Sequence, residues 1–468
     1  MSNAIVWFRA DLRLADNPAL SAALEAGHAV IPVYVVDEAR PEIRPLGTAA
    51  GWWLHQSLQA LDAALRSRGS RLVLLRGPAE RVIDDLATQC QAEAVYWNRL
   101  YDRGTRDRDA RLKQALLARG VRAQSFKAGL LVEPWEVRTK SGMPFKVFTP
   151  FWRACRSQAK PGRPLEAPAR LPRLADSVAG ESVPKLEHEK STACFAAHWT
   201  PGEPSALNRL SSFLDDGLES YHVQRDVPAL DATSRLSPHL AFGELSPRQI
   251  WNAVAARRPS PAGEKYLSEI GWREFAYNLL FHVGDLDRCN MRPEFDGLPW
   301  LDHPELIEAW QHGRTGYPIV DAGMRQLQAT GWIHNRVRMI TASFLTKHLL
   351  TDWRIGERWF WDRLVDADPA NNPVGWQWVS GSGADAAPFF RIFNPVLQGE
   401  KFDPDGTYVK RWLPELACLP PKAIHRPWAV DPPLAPQRYP QPIVDHAAAR
   451  QRALDAFAGL RRRTPRSS

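Results

Sequence analysis

A window from Gly331 to Trp378 holds the side chains of this sequence that are best suited to binding a polar, planar ligand. It opens with WIHNRVRM at residues 332–339 and closes with DADPANNP at 366–373 and WQW at 376–378. Apolar residues recur at helical spacing from the first run onward, which predicts a helix there. On that helix Asn335, Arg338 and Met339 share one face. A carboxamide, a guanidinium and a thioether are poorly suited to a plain core, so this face predicts a wall for a partly anionic ligand.

A second candidate site is a predicted helix start at residues 233–237, where hydroxyl side chains surround Arg235. Hydroxyl groups, free backbone N–H groups and an arginine at a helix N-terminus are chemically suited to phosphate. The alternative is a simple helix cap beside a surface arginine, and the spacing alone favours that alternative.

Glu269, Trp272 and Arg273 form a third candidate site, because they stand at i, i+3 and i+4 of a predicted helix. In one interpretation they are the floor of a pocket, where the indole stacks on an extruded base and the carboxyl group hydrogen-bonds to a pyrimidine. In the other, Glu269 and Arg273 form an exposed ion pair worth about 0.3 kcal/mol beside a half-buried indole.

The first 130 residues alternate short apolar runs with amphipathic ones. The apolar runs predict buried strands at 4–8, 30–36, 72–75 and 94–97. The amphipathic runs predict helices at 18–26, 49–68, 79–91 and 107–119. This alternation is typical of a doubly wound parallel sheet with helices on both faces. No Gly-x-Gly-x-x-Gly follows the first strand, so a dinucleotide on the usual phosphate loop is not indicated.

The rest of the chain has a different pattern. Seven prolines between residues 161 and 204, without sustained periodicity, indicate a linker. The following pattern is almost wholly helical, with Ser237-Pro238 and Ser246-Pro247 as helix starts. We therefore predict an α/β domain at 1–130, an interdomain linker at 131–204 and an all-α domain at 205–468.

Composition restricts the class of protein. A chain of 468 residues exceeds one ordinary core. The five cysteines have no spacing suited to zinc or to a disulfide framework, and the histidines form no ligand-spaced cluster, so we expect no metal site. The absence of a long apolar stretch predicts a soluble, cytoplasmic protein. A net charge of +8 is compatible with a nucleic-acid partner.

Five longer motifs carry a resemblance to a known family. Residues 5–17, 331–339, 366–372, 375–378 and 385–395 closely resemble the photolyase/cryptochrome flavoproteins and, within them, the class I cyclobutane pyrimidine dimer photolyases. The resemblance implies an amino-terminal antenna domain and a helical FAD-binding domain in a monomeric enzyme. It also implies light-dependent repair of ultraviolet-damaged DNA by electron transfer from photoexcited reduced FAD to a flipped-out dimer.

The resemblance implies residues for the flavin. Asn372 is expected near the flavin N5, and Arg338 is expected to pair with Asp366. A carboxamide can donate to or accept from N5, so it can follow the protonation of that atom. The full set of expected FAD contacts is Tyr221, Thr233, Ser234, Arg235, Leu236, Ser237, Arg338, Asp366, Ala367, Asp368 and Asn372.

It also implies residues for the damaged DNA and for electron transfer. Glu269 is expected to stabilise the reacting dimer, and Trp300, Trp353 and Trp376 are expected to carry an electron from the protein surface to the photoexcited flavin. Arg336 is expected to insert near the lesion or grip its phosphate. The expected substrate contacts are Arg225, Glu269, Trp272, Arg273, Asn335, Arg336, Met339, Trp378 and Gln398.

An antenna chromophore is where the sequence departs from the family pattern. Folate-binding relatives carry an Asn-Glu pair that would fall at Thr105-Arg106 and a Cys-Lys pair that falls at Cys289-Asn290, so only the cysteine is retained. A deazaflavin, a differently seated folate or an empty antenna site all stay open.

Three alternatives compete with dimer repair. A cryptochrome-like photoreceptor often carries a long tail after the helical domain, for which this chain leaves little room. Enzymes that repair the (6-4) photoproduct place a second histidine where Asn335 stands, which disfavours that activity. A Trp-rich nucleic-acid-binding protein without a cofactor would give a colourless preparation.

Overall fold

The structure is a computed structural model that describes residues 2–37, 42–174, 178, 180–181, 193–430 and 438–463. Parts of the predicted linker, at 175–177, 179 and 182–192, lie outside the described residues, as does the end of the predicted helical domain. No helix among the described residues is long and apolar enough to cross a membrane.

In chain order the strands are β1 Asn3–Phe8, β2 Ala29–Val36, β3 Val73–Arg76, β4 Ala92–Asn98 and β5 Arg122–Phe126. The α-helices are α1 Pro18–Glu25, α2 Thr48–Arg66, α3 Ala79–Gln89, α4 Arg103–Ala118, α5 Phe148–Gln158, α6 Glu203–Ser212, α7 Tyr221–Gln224, α8 Ser237–Ala241, α9 Pro247–Ala255, α10 Pro261–Val283, α11 Pro304–Gln311, α12 Pro318–Thr330, α13 Asn335–Ser343, α14 Trp353–Arg363, α15 Asn371–Ser380, α16 Pro395–Phe402, α17 Thr407–Trp412, α18 Pro421–Ile424 and α19 His446–Arg463. Short 3₁₀ helices span Ala193–Ala197, Pro293–Gly297, Pro414–Leu416 and Pro427–Ala429, and π-helical turns span Phe213–Gly217 and Phe344–His348.

The five strands form one parallel sheet in the order β3-β2-β1-β4-β5. Asn3 pairs with Ala29 and Phe8 with Tyr34, so β1 and β2 are in register along their length. The strand order reverses between β1 and β4, as expected for a doubly wound sheet. The predicted α/β fold is confirmed.

Two elements differ from the prediction. The sequence did not predict β5, whose RAQSF stretch is largely polar and lies at the sheet edge. Helix α5 lies inside the predicted linker, where Phe151, Trp152 and Cys155 are buried. An amphipathic turn of helix can form there because proline at position 150 falls in the first turn, where its missing N–H costs no hydrogen bond.

The chain divides into two compact units, each with its own core. Unit 1 comprises residues 1–219 and 234–284, and unit 2 comprises residues 220–233 and 285–468. In unit 1 the Glu274 Oε2 atom on α10 accepts hydrogen bonds from the Leu131 and Val132 N–H groups at 2.9 and 3.3 Å. In unit 2 the buried Asp321 carboxylate accepts hydrogen bonds from the residues before α12 and from the Tyr439 hydroxyl.

Candidate functional site

The ion pair between Arg338 and Asp366 is the centre of the candidate cofactor site in unit 2. Arg338 Nη2 lies 2.8 Å from Asp366 Oδ2, and Arg338 Nε donates to the Ile333 carbonyl oxygen at 2.7 Å. The pair expected from the resemblance is therefore present. Asp366 Oδ1 is buried and has no hydrogen-bond partner among the described residues. A buried carboxylate oxygen without a donor is costly, so it fits a ligand that supplies an N–H or O–H group.

Asn372, on the first turn of α15, is held by a residue that the sequence did not single out. Its Nδ2 atom donates to Glu357 Oε1 at 2.8 Å and to the Glu357 carbonyl oxygen at 3.1 Å. Glu357 is fully buried on α14. A backbone carbonyl can only accept, so it fixes which end of the amide is the NH₂ group. Asn372 Oδ1 is therefore the atom left to meet a ligand, and it can only accept.

Asp368 holds the chain that leads into α15. Its Oδ1 atom accepts hydrogen bonds from the N–H groups of Ala370 and Asn371, at 2.9 and 2.7 Å. The side-chain amide of Asn371 donates to the same oxygen at 2.9 Å. This is the Asx-turn arrangement that a loop of this composition favours. It fixes Ala367 and Asp368, both buried, beside the Asp366 carboxylate.

The start of α13 presents the polar face predicted from the sequence. Asn335 is exposed, and its Nδ2 atom lies 4.0 Å from the Met339 sulfur one turn later. Arg336 Nη2 donates to Asp226 Oδ2 at 2.8 Å, and its guanidinium lies over the Phe402 ring at 4.5 Å. Asn335 and Met339 thus share a face as predicted, whereas Arg338 turns away from it toward Asp366. The insertion of Arg336 near a lesion stays a prediction, because here its guanidinium is paired with a carboxylate.

His334 sets the geometry of that helix start. Its side chain caps α13 by accepting the Arg336 N–H at Nδ1, 3.2 Å away. Burial lowers the pKa of His334 to about 4, so the imidazole is neutral at pH 7 and Nδ1 is able to accept. The cap fixes the direction in which Asn335 and Arg336 leave the helix.

Two of the three predicted electron-transfer tryptophans lie on or against α14. Trp353 begins the helix, is fully buried, and donates from Nε1 to Asn290 Oδ1 at 2.9 Å. Trp376 packs so closely on Gly356 that a Cβ there would lie 2.1 Å from Trp376 Cη2. Three residues of helix rise about 4.5 Å, so Trp376, which belongs to α15, packs against α14 within one turn of the Trp353 backbone. Trp300 is half-buried against the cluster of Phe295, Leu298, Leu350, Phe389, Ala453 and Leu460.

In unit 1, α10 places Glu269 and Trp272 differently from the simple exposed-pair alternative. Glu269 pairs with Lys265 at 2.9 Å rather than with Arg273. The Trp272 ring stacks on Phe148, with centroids 3.8 Å apart and planes 8° apart. One face of Trp272 is thus covered by an aromatic ring. A base expected to stack on this indole would have to use the opposite face.

Arg273 does not fit the substrate contact predicted for it. Its Nη1 atom donates to the Gly129 carbonyl oxygen at 2.6 Å, and its guanidinium lies over the Tyr277 ring at 4.7 Å. The side chain is only 11% exposed. The Arg273 guanidinium therefore contacts the segment around Gly129 and not Glu269.

The predicted phosphate segment is irregular rather than a capped helix. Helix α8 begins at Ser237 and has five residues, and the preceding Leu236 offers no side-chain hydrogen bond. The prediction that a hydroxyl caps this helix is therefore wrong, whereas Ser246 does cap α9 in a capping box with Gln249. Arg235 has φ 48°, in the left-handed region that residues with a Cβ rarely adopt.

The predicted ligand residues are divided between the units. Ser234, Arg235, Leu236, Ser237, Glu269 and Trp272 belong to unit 1, and Tyr221, Arg225, Thr233, Asn335, Arg336, Met339, Trp378 and Gln398 belong to unit 2. In unit 2, Tyr221 is buried, whereas Arg225, Trp378 and Gln398 are half-buried. Their assembly into one pocket with Glu269 and Trp272 stays a prediction.

The positions at which folate-binding relatives carry their ligands are occupied by internal contacts. Arg106 Nη1 donates to the Phe281 carbonyl oxygen at 3.0 Å, and its guanidinium lies 3.8 Å from the centre of the Phe281 ring. Asn290 accepts from Trp353 and donates to Asp296 Oδ1 at 2.7 Å. Both replacements therefore stabilise the protein itself. Within the described residues no group of three His, Cys, Asp or Glu side chains is arranged to hold a metal ion.

Comparison with protein-family models gives two matches. The model described as "DNA photolyase" matches residues 4–171, and the model described as "FAD binding domain of DNA photolyase" matches residues 266–459. The second match contains α13, α14 and α15, and therefore the Arg338–Asp366 pair, Glu357 and Asn372. The FAD-binding domain inferred from the motifs is confirmed.

Individual relatives match over nearly the whole chain. A deoxyribodipyrimidine photo-lyase of Agrobacterium fabrum is 50% identical, over 98% of each chain. Cryptochrome-1 of Arabidopsis thaliana is 38% identical, over 97% of this chain and 70% of its own. Among solved structures, a class III photolyase from Agrobacterium tumefaciens has a TM-score of 0.94 and 49% identity over 99% of this chain and 98% of its own. An archaeal photolyase from Sulfolobus tokodaii with two FAD molecules has a TM-score of 0.84 and 33% identity over 98% of this chain and 100% of its own.

These matches do not support the class I subdivision predicted from the motifs. The solved structure with 49% identity is described as class III. The motifs used for the prediction concern the flavin and the substrate, and they do not separate these classes. The second FAD of the archaeal structure belongs to that protein, where it is described as a novel light-harvesting cofactor.

Proposed function

The chain belongs to the photolyase/cryptochrome family, and from this premise we propose that it repairs cyclobutane pyrimidine dimers in DNA in a light-dependent reaction. The lesion would be flipped out of the base stack to reach the protein. Damage lowers the free-energy cost of flipping, because it weakens stacking. Among the family's classes, the similarity to the Agrobacterium tumefaciens structure favours class III.

One observation carries the proposal: the buried Asp366 carboxylate is paired to Arg338 through one oxygen and lacks a donor for the other. This buried acceptor fits a ring system with an N–H group at its edge, as a flavin has. The residues that would hold it in unit 2 are Arg338, Asp366 and Asn372. When bound and reduced, the flavin supplies one electron to the dimer on blue-light excitation and recovers it after two carbon–carbon bonds have opened.

The protein's own residues would bind, orient and tune. Asn335 and Met339 offer a carboxamide and a polarisable sulfur to a flipped pyrimidine pair. Glu269, half-buried and paired with Lys265 on the same helix, would hydrogen-bond to pyrimidine N–H and carbonyl groups, the latter when protonated. Trp272 would offer the face that Phe148 leaves uncovered.

The test uses purified protein, reduced anaerobically and mixed with a single-stranded oligonucleotide that contains one thymine dimer. We expect the ultraviolet absorbance of the thymines to recover under blue light and to stay unchanged in the dark. An oligonucleotide with one (6-4) photoproduct serves as the lesion control. Recovery with neither lesion, while flavin is bound and reduced, would refute repair and favour a photoreceptor like the related cryptochrome. Recovery with the (6-4) substrate alone would refute the dimer specificity.

A further inference from the structure

The segment from residue 137 to residue 165 is the most one-sided run of charge in unit 1. It contains seven Lys or Arg residues and no Asp or Glu. The seven are Arg138, Lys140, Lys146, Arg153, Arg156, Lys160 and Arg163, and every one of them is exposed. We call residues 137–165 the basic segment. A solvated surface with both signs of charge would need no partner, but a run of a single sign favours an anionic one.

Most cations of the basic segment have no carboxylate partner among the described residues. Of the seven, only Arg156 forms an ion pair in the part of the chain that the structure describes, with Glu264. Arg138 donates to the carbonyl oxygens of Trp135 and Gly142, which leaves its charge uncompensated. The exposed lysines Lys140 and Lys146 therefore offer two charges without a carboxylate partner.

The first part of the basic segment has a defined shape. The Thr139 N–H donates to the Met143 carbonyl oxygen and the Gly142 N–H donates to the Thr139 carbonyl oxygen, both at 2.9 Å. The Met143 N–H donates to the Thr139 hydroxyl oxygen at 3.1 Å. This closed turn holds Lys140 at its tip. A charge held on an ordered turn loses less side-chain and backbone freedom on binding than one on a mobile loop.

The end of this turn is attached to α10. Val137 is buried at one end, and Phe148 at the other stacks on Trp272. Because a residue spans at most about 3.6 Å, the Lys146 Cα lies within about 7 Å of the Phe148 Cα. Lys146 is thus two residues from the ring that covers one face of the indole expected to receive a flipped base. Its long side chain would extend its charge toward the phosphates of a nucleotide stacked on the uncovered face.

We propose that the basic segment, through Lys140 and Lys146, binds the phosphates of the DNA strand that carries the lesion, beside the stacked rings of Trp272 and Phe148. This inference rests on the proposed function, because it takes DNA as the partner. Exposed lysines contact phosphate as point charges and carry no sequence information. The surface therefore positions the damaged strand and contributes equally to binding of damaged and undamaged DNA.

The test is the salt dependence of DNA binding by the flavin-loaded protein. Each phosphate contact contributes about 0.9 to the slope of log K against log salt for duplex DNA and about 0.7 for single strands. Removal of both charges in the double variant Lys140→Ala/Lys146→Ala should reduce the slope by about 1.8 on a duplex. Between 50 and 200 mM salt, the original protein should then lose about tenfold more affinity than the variant. The ratio of affinities for dimer-containing and undamaged DNA should not change.

Two further variants separate charge from structure. Lys140→Arg/Lys146→Arg keeps both charges and should keep the slope. Arg81→Ala/Lys113→Ala removes the same net charge from α3 and α4, where Arg81 already pairs with Asp85, and should leave the slope unchanged.

An unchanged slope in the alanine variant, an equal change in the α3 and α4 control, or a selective loss for damaged DNA would each overturn the proposal. So would unchanged DNA binding with lost binding to vesicles that contain anionic lipid, because the partner would then be a membrane surface. If the slope of log K against log salt falls in the alanine variant as expected, but the protein repairs no dimer, the result would count against the repair activity alone.

Discussion

The hydrogen bonds between Glu357 and Asn372 lead to a quantitative prediction for a bound flavin. The two Nδ2 hydrogens bond to Glu357 Oε1 and to its carbonyl oxygen. If each bond is worth about 1 kcal/mol, turning the amide over costs at least about 2 kcal/mol. Only about 3% of molecules would then present the NH₂ group to the ligand. With Asn372 facing the flavin N5, as proposed, the fixed Oδ1 accepts from N5–H in the reduced flavin and has nothing to accept from in the oxidised flavin.

The perturbation is Glu357→Leu, which removes the carboxyl acceptor and leaves the carbonyl. The cost of turning the amide falls to about 1 kcal/mol, which the hydrogen bond from the turned NH₂ group to unprotonated N5 offsets. Both orientations are then equally populated with oxidised flavin, which stabilises that state by about 0.4 kcal/mol, against about 0.1 kcal/mol when the side-chain acceptor is present. The one-electron midpoint potential should therefore lie about 15 mV below that of a neutral variant that keeps the acceptor.

Spectroelectrochemical titration of the flavin-loaded variant measures this shift directly. Glu357→Gln is the matched reference, because both variants replace the carboxyl group with a neutral side chain, while the glutamine amide oxygen can still accept from Asn372. A potential of Glu357→Leu that equals or exceeds that of Glu357→Gln would refute the reasoning, because the acceptor would then not be the cause.

Three more outcomes follow from named contacts. Glu269→Ala should lower the yield of dimer repair per bound lesion while the Kd changes by less than about threefold, since the ion pair with Lys265 is solvent-accessible and contributes little; equal losses in repair and binding would count against its role. Gly356→Ala should lower the free energy of unfolding in urea by about 1–3 kcal/mol and slow photoreduction of the flavin, because a Cβ would lie 2.1 Å from Trp376 Cη2, whereas Gly375→Ala, with open space around it, should do neither. Burial lowers the pKa of His348 to about 3, so the unfolded chain binds its proton first as the pH falls below about 6.5. Stability should therefore fall on acidification, by about 2 kcal/mol from this residue at pH 5, and His348→Phe should remove that part of the pH dependence in urea titrations.

The fold was largely predictable because its signals are local. Four of the five strands are continuous apolar runs, which only a sheet buried on both faces accommodates. The start of α4 was placed four residues late because the Asp102 side chain, which accepts from the Thr105 N–H, begins the helix before its apolar periodicity does. The polar edge strand β5 carries no periodic signal at all. Its pairing with β4 is a long-range contact that the local pattern does not reveal.

The site was predictable only where the family motifs carry it. Arg338 and Asp366 were paired from the resemblance, and their side chains do meet. The contacts of Glu357, Asn290 and Phe148 were not predicted, because each is made to a residue on another element of the fold. A lone Glu in WRIGERWF or a lone Phe in KVFTPF has many ordinary uses. Only the folded chain shows that one holds Asn372 and the other covers Trp272.

Asn372 shows why residue type alone is insufficient to predict how a site tunes its ligand. Read from the sequence, a carboxamide can donate or accept and could follow the flavin through either protonation state. In the fold, both Nδ2 hydrogens of Asn372 are donated to a backbone carbonyl and a buried carboxyl oxygen, so the side chain can only accept from a ligand, through Oδ1. The carbonyl would be present whatever residue stood at position 357, but the carboxyl oxygen would not. If a flavin binds here with its N5 at Asn372, its preference for the reduced state would therefore be set jointly by Asn372 and by a side chain on the neighbouring helix.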